Sequence, residues 1–177
     1  MKKIILFLAI SISTTNIAQK FVVTPIGLKD ESNLGTNYVA ITSEGKSAAD
    51  LYFLSIKYMN TFYNNADASL KDNIGNSNLK FKISEPDFIK VRFEVFKQSF
   101  DAKYKIELLF EDGIVKYEII DLDMRSKMNF KIAFMQDGIS FNIYNTNRKL
   151  KNKDSKIAIE NYFNANLKSY VDYLNAN

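Results

Sequence analysis

The stretch that decides the fold is "KYKIELLFEDGIVKYEIID", Lys103–Asp121. Apolar and polar residues alternate on both sides of Asp112-Gly113, a two-residue pair suited to a tight hairpin turn. Folded there, Phe110 faces Val115, Leu108 faces Tyr117 and Ile106 faces Ile119. One face is then wholly apolar, and the other carries Lys105, Glu107, Lys116 and Glu118. A one-residue slip would turn every apolar side chain to water, so turn and pattern specify a single register.

Other strands are read outward from this hairpin. "LKFKI" alternates and stops before Glu85-Pro86, and "VRFEVF" alternates again. "FKIAFMQDGISFNIY" repeats the chemistry of the first hairpin, with Asp137-Gly138 as turn, Phe134 meeting Phe141 and Ile132 meeting Ile143. Upstream, Phe21 to Thr24 form a short strand stopped by Pro25, "KDESNLGTN" is a polar loop, and "YVAIT" is the next strand. "NNADASLKDNIGNSN" is a long loop rich in Asn, Asp, Ser and Gly.

Two helices complete the pattern. Over Ala48 to Tyr63, Leu51, Tyr52, Ser55, Ile56, Met59, Phe62 and Tyr63 share one side. From about Ser155 to Asn175, with Asp154 as cap, Ile159, Tyr162, Phe163, Leu167, Tyr170, Tyr173 and Leu174 share another. The expected fold is α+β: a single antiparallel sheet with both helices on its apolar face and its other face wet, helix-grip-like in outline.

The first 18 residues stand apart. Lys2 and Lys3 precede an apolar run from Ile4 to Ile12 and a small, polar stretch up to Ala18. That is the layout of a signal peptide, and the run falls short of the roughly 20 residues a bilayer span needs. Cleavage after Ala18 or Gln19 leaves one domain, 19–177, in the periplasm or outside the cell. The chain has no cysteine, which removes a lipoprotein anchor and disulfides. Its charge of +4 falls to +2 without Lys2 and Lys3, too little to suggest nucleic-acid binding. "NRKLKNKDSK", Arg148 to Lys156, is the densest basic cluster and reads as a solvated connection, with a phosphate or membrane-surface site as the lesser alternative.

"AITSEGKSA", Ala40 to Ala48, fits a relaxed nucleotide-loop pattern. Ala40 falls inside a strand, however, and no later strand ends in a magnesium-binding Asp. A capping box explains the segment better: Ser47 caps the helix and Asp50 reaches back to its amide. Neither nucleotide nor cofactor is expected. The chain also lacks histidine, which with the missing cysteine removes the commonest general base, thiol catalysis and most zinc ligands. Asp121 and Asp123 in "IIDLDM" could serve a carboxylate hydrolase, but read better as a polar strand end. Neither Asp121 nor Asp72 has the context of a calcium loop.

"YVAITSEGKSAADLYFLSIKYMNTFYNN" and "YKIELLFEDGIVKYEIIDLDM" resemble a family of exported bacterial domains of unknown function, described as having a TATA-binding-protein-like fold. The resemblance covers about Phe21 to Asp123, and the final helix more loosely. It implies an antiparallel sheet backed by helices. It supplies no catalytic residues, and the fold label does not imply DNA binding.

The functional expectation is a non-enzymatic binding or interaction domain whose partner is an envelope protein or a small molecule. The alternative is a carrier of small apolar ligands, with a pocket between the final helix and the sheet; a carboxylate hydrolase ranks third. For partner contact, Leu109, Ile120 and Tyr144 are the candidates, as apolar residues expected on the outer sheet face among lysines.

Overall fold

The computed structural model describes residues 19–63, 67–68, 77–93, 96–138 and 141–177. The expected signal peptide and Asp72 lie outside them.

The chain begins with a hairpin, β1 (Phe21–Thr24) and β2 (Gly27–Asp30), turning at Pro25-Ile26. Gly27 has φ +127°, a backbone conformation that only glycine adopts readily. β3 (Tyr38–Thr42) leads into α1 (Ala48–Phe62). Then come β4 (Asp67–Ala68), β5 (Asn78–Phe93), β6 (Phe96–Glu111) and β7 (Ile114–Arg125). β8 (Lys131–Ala133), β9 (Phe141–Asn142) and α2 (Lys153–Ala176) end the chain.

The strands form two sheets. β1 and β2 make a two-stranded sheet, and β3 to β9 make a seven-stranded one ordered β4-β5-β6-β7-β8-β9, with β3 also paired to β7. The expectation of one sheet is therefore corrected, and so is that of a purely antiparallel one. β8 and β9 run parallel, with Ile132 opposite Phe141 and Ala133 opposite Asn142. The second hairpin expected at Asp137-Gly138 does not form. Asn142 explains part of this: its side-chain oxygen accepts from Gln136 N (2.9 Å) and its amide donates to the Gln136 carbonyl (2.6 Å). These bonds occupy backbone groups that a tight antiparallel turn would use.

The first hairpin has the expected register: Ile106 pairs with Ile119, Leu108 with Tyr117 and Phe110 with Val115. β5 differs from its reading. It does not stop at Glu85-Pro86 but bulges there, resuming at Ile89 opposite Phe100. Pro86 lacks an N–H for the ladder and Asp87 sits at φ +52°, which suits both to a bulge. "VRFEVF" is not one strand, since Phe93 at the end of β5 pairs antiparallel with Phe96 at the start of β6.

Both helices cover the apolar sheet face. α1 buries Leu51, Tyr52, Ser55, Tyr58 and Met59. Tyr58 takes the place expected for Phe62, which is exposed and stacks on the Tyr58 ring at 4.5 Å. α2 buries Ser155, Ile159, Phe163, Leu167, Tyr170 and Leu174. Its cap is Asn152, whose side chain accepts from Ser155 N at 2.9 Å, rather than Asp154. The β1–β2 hairpin is tied to α2 by side chains: Phe21 N donates to Asn164 Oδ1 (2.7 Å) and Val23 N to Glu160 Oε1 (2.8 Å).

The start of α1 closes against the first hairpin. Ser47 Oγ accepts from Asp50 N (3.2 Å) while the Asp50 carboxylate accepts from Ser47 N (3.1 Å), a capping box. The Asp112 carboxylate accepts from Ala48 N (2.9 Å), Ser43 N donates to the Gly113 carbonyl, and Gly113 N donates to the Lys46 carbonyl (2.8 Å each). The Gly-Lys-Ser segment thus clasps the Asp112-Gly113 turn, and carboxylates stand where a phosphate would have to sit.

Candidate functional site

Three faces of the molecule could hold a site: the interior under α2, the outer face of the large sheet and the corner around Tyr144.

The interior is rich in phenols and phenyl rings. Tyr104 meets Phe163 at 5.2 Å, Tyr117 meets Tyr170 at 5.5 Å, and Phe88 meets Tyr162 at 4.4 Å and Phe163 at 5.5 Å. Edge and tilted contacts of this kind are favourable ring geometries. Between the final helix and the sheet, where an apolar pocket was the alternative expectation, the rings of Tyr162, Phe163 and Tyr170 touch neighbouring rings. Their hydroxyls are also engaged: Tyr104 and Tyr162 share a hydrogen bond (3.3 Å), and Tyr170 bonds Ser55 Oγ, which donates to the Leu51 carbonyl. Burial first, and neighbouring phenols after it, push the Tyr63, Tyr104 and Tyr117 hydroxyls well above the usual tyrosine range.

Tyr144 is a correction. It was expected on an outer face, but it is 9% exposed and its hydroxyl donates to the Val23 carbonyl at 2.7 Å. The β1–β2 hairpin covers it from 121 residues away, a contact no local pattern reveals. With Tyr144 buried, the three candidates do not share one exposed face.

Leu109 and Ile120 do lie on the outer face. Leu109 is 39% exposed, between Asn78 on β5 and Lys116 on β7; Ile120 is half-buried opposite Lys105. They do not meet, because the Glu107–Glu118 pair occupies the rung between them. Burial, then the facing Glu107, raises the Glu118 carboxyl, while Glu107 is held by Lys80 at 2.9 Å.

The pronounced concavity of the outer face lies further along the same strands. Two register breaks flank Lys103 of β6: β5 breaks between Glu85 and Ile89, opposite Asp101, and β7 breaks between Ile120 and Asp123, opposite Tyr104. The extra residue on β7 places Asp121 at φ +55°, a left-handed conformation that Asp tolerates better than most residues. Bulges bend a strand and re-aim its side chains. Two adjoining hollows result. One, of about 610 Å³, runs past Ser84, Lys103, Asp123 and Arg125 to the loop at Ser126–Asn129. The other, of about 370 Å³, lies over Lys82, Ser84, Lys103, Lys105 and Asp121. They share Ser84 and Lys103.

The groove is an organised field of charges. Asp121 pairs with Lys105 (2.6 Å) and Asp123 with Arg125 (2.8 Å), whose guanidinium also donates to Asn129 Oδ1 (3.0 Å). Each of the two acids singled out in the sequence thus has its own cation. At the bulge, Asp87 N donates to Asp101 Oδ1 (2.8 Å) and Ser99 Oγ to Asp87 Oδ1. The Ser99 hydrogen bond, then Lys127 and Lys90, hold the Asp87 carboxyl below its usual range. Lys103 makes no salt bridge among the described residues. Among these residues no group of three or more acids gathers as a metal site would require. Sequence reasoning found Asp121 and Asp123 but not the groove, because neither bulge is visible to a reading of alternation.

No protein-family model matches the sequence, and no curated protein matches it. Solved structures do match. A DUF4468 family protein from Bacteroides ovatus ATCC 8483 superimposes with a TM-score of 0.56 at 14% identity, over 80% of this chain and 88% of that one. The chain shares that fold. A TBP-like protein from Parabacteroides distasonis ATCC 8503 gives a TM-score of 0.49 at 15% identity, over 80% and 94% of the two chains. The α+β architecture with two helices on a mostly antiparallel sheet thus recurs in a solved domain of unknown function, as the resemblance implied.

Proposed function

We propose that the protein is an exported, non-enzymatic binding domain that works through the outer face of its large sheet. The observation that carries the reading is the groove of about 610 Å³ lined by Lys103, which lies between a bulge on β5 and a bulge on β7, the two strands that flank β6. Bulges weaken pairing and cluster where a sheet is shaped for contact. The groove is lined by charges of both signs, which suits a partner with complementary polar groups and gives specificity more than raw affinity. Leu109 and Ile120 add apolar contact further along the same face.

Export rests on the arrangement of residues 1–18, and N-terminal sequencing of protein from its host tests it. A new terminus at Gln19 or Lys20 supports export, and an intact Met1 on a cytoplasmic species overturns it. The binding face is tested by charge reversal. Lys103→Glu with Arg125→Glu should abolish co-purification of the partner while leaving the melting temperature within a few degrees of wild type. Retention of every partner by a folded double variant contradicts the reading.

A further inference from the structure

The basic cluster Arg148–Lys156 is not the loose connection its composition suggests. Asn145 holds it in a tight turn: Arg148 N donates to the Asn145 carbonyl (2.8 Å), Asn145 N to the Lys149 carbonyl (2.9 Å), and Lys149 N to Asn145 Oδ1 (2.9 Å). Arg148 sits at φ +60°. Lys151 N and Asn152 N then both donate to the Ile143 carbonyl. These bonds hold the backbone of the turn, and its side chains project from that frame.

That frame presents apolar residues among cations. Leu150 is 45% exposed and bridges to Tyr144; Ile157, one residue beyond Lys156 on α2, is 41% exposed. Tyr144 bonds Val23, and Val23 bonds Glu160, the partner of Lys156. The β1–β2 hairpin, whose turn carries Ile26 at 68% exposure, therefore meets the same corner. Five cations and one acid fall within residues 148–156, a net of +4 in nine residues. Arg148, Lys149 and Lys153 make no salt bridge among the described residues. Exposed aliphatic side chains interspersed with cations along one segment match the requirements of an interfacial lipid site: apolar groups enter the boundary while Lys and Arg meet anionic headgroups.

We infer that this corner docks the protein on an anionic lipid surface, leaving the outer sheet face available to its partner. No described helix is long and apolar enough to cross a bilayer, and the contact inferred is peripheral. The test is co-sedimentation with vesicles of phosphatidylcholine containing a quarter phosphatidylglycerol, against phosphatidylcholine alone. The full chain is compared with Lys149→Gln/Lys153→Gln and with Leu150→Ser/Ile157→Ser. Any contribution from residues 1–18 is common to all three. Wild type should prefer the anionic vesicles and lose that preference as salt rises. Removing two cations should weaken anionic binding by roughly 30-fold, and the serine pair should weaken it as well. The substituted side chains are exposed or half-buried, and circular dichroism confirms folding; should the lysine pair melt early, Arg148→Gln carries the same expectation in smaller degree. Equal binding of wild type and the lysine variant, equal binding to both vesicle types, or no binding to either overturns the inference.

Discussion

The Asp112 carboxylate accepts a hydrogen bond from the Ala48 amide at 2.9 Å, joining the tip of the central hairpin to the first turn of α1 across 64 residues. A helix start leaves its first amides without intrahelical partners, and negative charge there is stabilising. Asp112 thus acts as a cap supplied from elsewhere in the chain, and it fixes how α1 is set against the sheet.

Removing that carboxylate should cost about 1 kcal/mol, the usual worth of a helix cap. Asp112→Ala should lower the urea midpoint of unfolding without changing the slope. Asp112→Asn, which keeps an acceptor and the turn, should recover about half of the loss. An unchanged midpoint for Asp112→Ala would show that the tie is dispensable.

The capping box makes a separate prediction with a pH signature. Ser47→Ala should cost about 1 kcal/mol. The hydrogen bonds from Ser47 hold the Asp50 carboxyl below 3.8. Its contribution is therefore present above the unfolded value and is lost as pH falls through the lower folded value. The gap in melting temperature between wild type and Asp50→Asn should be constant near neutrality and close as pH falls below about 4. A gap that widens on acidification contradicts the assignment. Lys46→Ala, in contrast, should alter neither stability nor any affinity for nucleotide.

Tyr144 separates the corrected reading from the one based on alternation. A surface tyrosine would tolerate Tyr144→Phe without effect. A buried hydroxyl bonded to the Val23 carbonyl predicts a loss of about 1–2 kcal/mol, because the carbonyl is left without its donor. Chemical denaturation measures it.

The phenols beneath α2 predict alkaline lability. Tyr104 and Tyr117 are buried with ionisation pushed up, so the unfolded chain releases their protons first, from about pH 10 upward. Stability is full below that and falls as pH rises, by about 1.4 kcal/mol per unit for each phenol. Tyr104→Phe should flatten the fall. An equal slope in the variant would mean the phenol ionises in place.

What could be read from the residues and what could not divide along physical lines. The first hairpin was legible because one turn signal and two alternating runs agree, and slippage would expose a whole apolar face. The capping box was legible because its partners are three residues apart. The second hairpin misled for the same reason it attracted notice: Asp137-Gly138 carries the turn signal, but the Asn142 side chain binds the backbone at Gln136 and the strands run parallel. Tyr144 depended on a hairpin more than a hundred residues away. The groove depended on bulges in the two strands that flank β6, one on either side of Lys103, a property of the assembled sheet. Asp121 and Asp123 were the visible trace of it, and their cations, Lys105 and Arg125, completed it only in three dimensions.

The most direct test of the outer face as the binding surface is site-specific photocrosslinking in the host. A photoreactive residue is placed at Lys103, at Leu109, or at Lys57 on the exposed side of α1 as a control. The account predicts one shared adduct from the two sheet positions, none from position 57, and loss of the adduct when Arg125→Glu is added. Equal crosslinking from both sides of the molecule, or an adduct only from position 57, would contradict it.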